Sequence, residues 1–148
     1  MNLIDITAGH RPASSFEAVQ GDPASAATAL EELLTDRLRV EGPDHPETLT
    51  TRHNLAHFRG LAGDPAGAVS ALEELLSDRL RVLGPDHPDT LITRHELAHF
   101  RGIGEDPAGA VSALEELLSD QVRVLGPDHP GTLAARDNLV AWRDVTGE

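Results

Sequence analysis

The sequence contains no cysteine. That excludes disulfides, thiolate metal sites and a cysteine nucleophile, and it fits a reducing cytoplasm. Aromatic residues are nearly as scarce. Phe16, Phe58, Phe100 and Trp142 are the only ones, too few for a base-stacking platform. Positive charge is short as well. Twelve basic residues against 25 acidic ones leave a formal net charge of −13. Nucleic acid and anionic membrane are therefore not expected as partners, because both require cationic surface. No apolar run reaches transmembrane length. The opening "MNLIDITAGHRPASS" lacks the basic start and long apolar stretch of a secretory signal, so a cytoplasmic location is expected.

What the sequence does have is repetition, which is best sought before anything else. "GPDHP" stands at Gly42–Pro46, Gly84–Pro88 and Gly126–Pro130, 42 residues apart each time. Asp22-Pro23, Asp64-Pro65 and Asp106-Pro107 keep the same spacing. Residues 43–84 and 85–126 differ at only eight of 42 positions. The chain thus reads as a single array over 1–148. Residues 1–22 form a degenerate N-terminal half-unit, followed by a second helix at 23–42. Two full units at 43–84 and 85–126 come next, and 127–148 supply the first helix of a fourth.

Each unit predicts two helices. The first, helix A, runs from about Pro46 to Ala62, with Pro46 suited to the first helical turn. The second, helix B, follows Asp64 as cap and Pro65 in the first turn, and stops at Gly84. At about 100° per residue, helix B gathers Ala68, Ala71, Leu72, Leu75, Leu76, Leu80, Val82 and Leu83 on one arc. Ser70, Glu73, Glu74, Asp78 and Arg81 fall outside that arc, the pattern of a helix packed on one side. No segment alternates with period two, so no sheet is expected. A lone helical hairpin cannot bury its apolar faces, and such units stack into a solenoid.

The string "HNLAHFRGLAGDPAGAVSALEELLSDRLRVLGPDHP" resembles a tetratricopeptide repeat of the 42-residue, kinesin-light-chain-like kind found in bacteria. The likeness rests on Asn-Leu-Ala in helix A, Gly63 before the turn, Ala68 where the helices cross, and the "LGPDHP" link. Arg52 and Arg59 depart from it, standing where aromatics are common. The resemblance implies an all-α, right-handed superhelical solenoid that acts as a protein-interaction scaffold. A peptide or partner protein would lie in a concave groove lined by the A helices, and no cofactor is implied.

"HELAH" at 95–99 matches the H-E-x-x-H zinc-hydrolase signature, in which two histidines hold the metal and the glutamate acts as base. The equivalent positions read "HNLAH" at 53–57 and "DNLVA" at 137–141. Glu96 is thus a one-repeat variation on an asparagine. The residues that follow, "FRGIGEDPAG", supply no third ligand, and Glu115 and Glu116 fit an exposed helix-B face better. Adventitious metal on His53, His57, His95 and His99 remains compatible with the i, i+4 spacing. A metal-dependent hydrolase is the opposing reading, and an adaptor fragment of a larger signalling protein is a third.

On the helical wheel, Leu49, Leu55, Ala56, Phe58 and Ala62 form the buried arc of helix A. Thr50, His53, Asn54 and His57 stand opposite, and the next units repeat the face with Ile92, His95, Glu96, His99 and with Ala134, Asp137, Asn138, Ala141. His53, Asn54, His57, His95, Glu96, His99, Asp137 and Asn138 are therefore the candidate groove residues. Asn and neutral His both donate and accept, which suits an extended peptide backbone. Ligand binding should then vary with pH between about 5.5 and 7.5, where histidine titrates.

Arg52, Arg59 and their equivalents Arg94, Arg101, Arg136 and Arg143 point into the apolar arc. They are expected to pair with Glu73, Glu74, Asp78 or the equivalents of those acids at repeat interfaces. The "PDHP" loops read as capped turns, with Asp86 or His87 as the cap. At the ends, a B helix lacks its A partner and an A helix lacks its B partner. This complementarity predicts end-to-end self-assembly or, alternatively, Leu3, Ile4, Ile6 and Phe16 folding back over the N-terminal edge.

Overall fold

The computed structural model of the protein describes residues 22–148. Six α-helices, and no strand, are present among these residues: α1 (Pro23–Val40), α2 (Pro46–Leu61), α3 (Pro65–Leu83), α4 (Pro88–Ile103), α5 (Pro107–Leu125) and α6 (Pro130–Thr146). None of them is long and apolar enough to cross a membrane. Residues 1–21 of the expected N-terminal half-unit, and with them the N-terminal fold-back, lie outside the described residues.

Every helix begins with proline, whose fixed φ and missing N–H suit a first turn that has no backbone acceptor to meet. The residue before it differs between the two helix types. Helices of the B type are entered through aspartate: Asp22 accepts from the Ala24 N–H, Asp64 from Gly67 and Asp106 from Gly109. Helices of the A type are entered through histidine. The Nδ1 atoms of His45, His87 and His129 accept from the backbone N–H two residues on, at 3.1, 3.0 and 2.9 Å. The sequence left Asp86 and His87 as alternative caps, and the histidine takes that place. Asp86 instead receives two hydrogen bonds from the Arg123 guanidinium, at 2.9 and 3.1 Å. That contact holds its carboxyl below the usual range and ties the loop before α4 to the last turn of α5. Gly42, Gly84 and Gly126 end the B helices at φ of 88, 91 and 94°, a region that L side chains avoid.

The chain divides between Ala71 and Leu72 into two bodies. In the first, Ala26, Ala27 and Leu30 of α1 pack with Leu55 and Phe58 of α2. Arg59 of α2 reaches back to Glu31 of α1 at 3.7 Å. In the second, Leu91 and Ala98 of α4, Val111, Leu114 and Leu117 of α5, and Ala135 and Leu139 of α6 form one core. Each fully buried aliphatic side chain of this kind contributes roughly 1.5–3 kcal/mol. Alanine at 98, 110 and 135 is fully buried and lets the helices approach closely.

Arg59, Arg94, Arg101 and Arg143 pair with helix-B carboxylates as expected, whereas Arg136 is exposed and meets none among the described residues. Arg101 pairs with Glu73 at 3.1 Å and Arg143 with Glu115 at 2.9 Å, each 28 residues earlier in the chain. Arg94 donates to Asp120 at 2.7 Å. Arg79 is buried and donates to the Asp89 carbonyl at 3.2 Å and to the Thr93 hydroxyl at 2.8 Å. At the equivalent position in the next repeat, Gln121 is also buried, and its backbone carbonyl accepts from Thr132.

Candidate functional site

The candidate residues fall on three A helices: α2 carries His53, Asn54 and His57, α4 carries His95, Glu96 and His99, and α6 carries Asp137 and Asn138. The structure joins the last two sets. The Asn138 side-chain amide hydrogen-bonds His95 Nε2, linking α6 to α4 across 43 residues of sequence. An amide N–H bonded to that ring nitrogen requires Nε2 to be unprotonated. The electrostatics agree. Burial pushes the His95 imidazole below its ordinary value; Glu96 opposes the shift and the His99 charge adds to it. A second contact lies one helix end away, where a Cβ placed on Gly102 of α4 would run into the Trp142 ring of α6.

Around this pair the surface of α4 and α6 is graded in exposure. Ile92, His95, Glu96, His99 and Asn138 are half-buried, whereas Ile103, Ala134, Asp137 and Ala141 are exposed. His99 stands edge-on to Phe100 with ring centroids 5.2 Å apart, and His57 takes the same stance against Phe58. The result is a mixed face of aliphatic, imidazole and carboxylate groups, able to accept a backbone N–H and to pack an apolar side chain.

Three positions differ from expectation. His53 and Asn54 are only 3% and 1% exposed, so they do not stand on an open surface. A helical wheel with one packed side underestimates burial wherever a helix is covered on more than one side. His57 remains half-buried. Ala62, expected in the buried arc, is exposed just beyond the end of α2.

Among the described residues no three His, Asp or Glu side chains converge on a point, and His95 Nε2 is already turned to Asn138. Sequence reasoning missed the contact between Gly102 and Trp142. Its signal was a glycine inside an otherwise regular helix, which marks close approach of a neighbour.

Helical hairpins recurring every 42 residues, with the same caps, ion pairs and crossing alanines, define an all-α helical-repeat solenoid. The chain belongs to the tetratricopeptide-repeat family, whose profile matches residues 16–47, 48–89 and 90–131. No curated protein gives a significant match. Among solved structures, the chain is similar to the nearly identical TPR-like repeats of a Podosopora anserina kinesin light chain. Identity there is 25% and the TM-score 0.80, over 99% of this chain and 69% of that one. A single-residue variant of the same protein gives 25% identity and a TM-score of 0.79 over the same shares. Repeats of this family serve as scaffolds for protein interaction. The self-assembly expected from the chain ends depends on residues 1–21, outside the described part.

Proposed function

We propose that the chain is a non-enzymatic scaffold that binds a peptide or partner protein on the face formed by α4 and α6. The observation that carries this reading is the hydrogen bond between His95 and Asn138, which fixes two A helices side by side beneath a half-open surface. His99, Asp137 and the exposed part of Glu96 are the side chains placed to meet a ligand, with Ile103 and Ala141 as apolar contacts. On α2, in the other body, His53 and Asn54 are too deeply buried to touch a partner directly. Family membership and the likeness to kinesin light chain repeats support an interaction role in general.

Selection from a displayed random peptide library against the 148-residue chain tests this reading. Peptides so obtained should lose at least tenfold in affinity to His99→Asp and Asp137→Arg. The control Val122→Asp, an exposed position on α5, should leave binding unchanged. Binders indifferent to both face substitutions would refute it.

A further inference from the structure

The three histidine caps do not have the same surroundings. At His45 one ring atom faces two partners. Nδ1 lies 3.1 Å from the Glu47 nitrogen whose N–H it accepts and 3.2 Å from Oε2 of Glu41, the residue that closes α1. The other carboxylate oxygen of Glu41 accepts from Arg37 at 2.7 Å, and Arg37 also approaches the Glu47 carboxylate at 3.5 Å. The Arg37 hydrogen bond holds the Glu41 carboxyl below its usual range, with the charge of His45 adding to the effect. Glu41 is therefore an anion wherever histidine titrates. A bare Nδ1 accepts the backbone N–H but cannot donate to the carboxylate. A protonated Nδ1 donates to the carboxylate but can no longer accept. The two contacts exclude each other. The other loops lack the second partner, because the repeat puts Leu83 and Leu125 at the position of Glu41. Around His87 stand Asp86, already bound by Arg123, and Asp89, whose carbonyl accepts from Arg79. His129 follows Asp128, with Gly131 in place of a first-turn acid and Gln121 in place of the arginine.

We propose that His45 is a proton-operated switch between two helices. Neutral, it caps the start of α2. Protonated, it gives its Nδ1–H to Glu41 and ties the loop to the end of α1 instead. His87 and His129 answer the same proton by release alone. A positive charge at a helix start is further disfavoured by the helix dipole, and an acid in the first turn offsets it. Glu47 and Asp89 supply that acid in α2 and α4, whereas α6 has none. On acidification through the range in which histidine titrates, the turn between α1 and α2 therefore exchanges one tie for another. The starts of α4 and α6 lose theirs. The start of α6 is the most acid-sensitive of the three, and α6 is the helix whose Asn138 holds His95. This device needs no ligand and stands apart from the binding face.

Proton–nitrogen correlation NMR of the intact, isotope-labelled chain between about pH 7.5 and 5.5 tests this, reading ring nitrogens and cap amides together. As the His45 ring titrates, Nδ1 should gain its proton and the Glu47 amide proton should move upfield on losing its acceptor. Glu41→Gln should move the His45 titration to lower pH and leave those of His87 and His129 in place. His45→Asn supplies a cap that does not titrate, so the Glu47 amide should hold still over the same range. His129→Asn should do the same for the Gly131 amide. Circular dichroism at pH 7.5 should match the wild type in all three variants, because none of these side chains is buried. A Glu47 amide that stays put while the His45 ring titrates would overturn the proposal. So would a His45 titration indifferent to Glu41→Gln, or equal movement of the Glu47 amide in wild type and His45→Asn.

Discussion

Asn138 of α6 hydrogen-bonds the imidazole of His95 on α4, and this bond requires the ring to be neutral at the bonded nitrogen. It joins the two helices whose surfaces carry most of the candidate binding residues. The folded chain thus prefers one protonation state of that histidine, with a consequence for stability.

His95 titrates below the ordinary histidine value of 6.5 in the folded chain, through burial. The unfolded chain takes up that proton first as pH falls, so acidification through and below about 6.5 favours unfolding. Above that value both states are neutral there and the contribution is constant. The melting temperature of the wild type should therefore fall more between about pH 7.5 and 5.5 than that of His95→Gln. Equal falls would show that His95 does not carry the effect.

The histidine caps are separable from the binding face. His129→Ala removes the acceptor for the Gly131 N–H and should cost about 1 kcal/mol, read by urea unfolding. His129→Asn or His129→Asp restores an acceptor and should recover most of that loss. Equal destabilisation by all three substitutions would assign the role of His129 to packing.

Gly102 should tolerate no side chain. A methyl group there meets the Trp142 ring, so Gly102→Ala should destabilise by about 1–3 kcal/mol through overpacking, despite alanine's better helix propensity. Combining it with Trp142→Leu should cost less than the sum of the two single changes. An additive double variant would mean that the two positions do not meet.

Glu105 is the one described non-glycine residue with positive φ, at 75°. The preceding repeat has Gly63 there, at 101°. Glu105→Gly should stabilise the chain by roughly 0.5–1 kcal/mol by relieving that strain, visible as a higher melting temperature. A neutral or lower value would show that the glutamate side chain compensates.

Much of this architecture was legible in the residues. The spacing of "GPDHP" and "DP" gave helix starts because proline at the first turn and aspartate before it have few other uses in a helical repeat. The pairing of Arg101 with Glu73, and of its equivalents, followed from cations set inside an apolar arc. The buried state of His53 and Asn54 was not legible, because a wheel describes one helix and their burial depends on what covers that helix. The choice of His87 over Asp86 as cap was also hidden. Both side chains can accept the N–H, and the structure gives that place to the histidine in all three loops.

Amide chemical-shift mapping of the isotope-labelled chain with a library-selected peptide tests the central claim most directly. Binding on the face built by His95 and Asn138 predicts the largest changes on α4 and α6, around His95, His99, Asp137 and Ala141, with α5 little affected. Changes confined to the interhelical loops or to the outer side of α5, or no saturable change with any selected peptide, would contradict it.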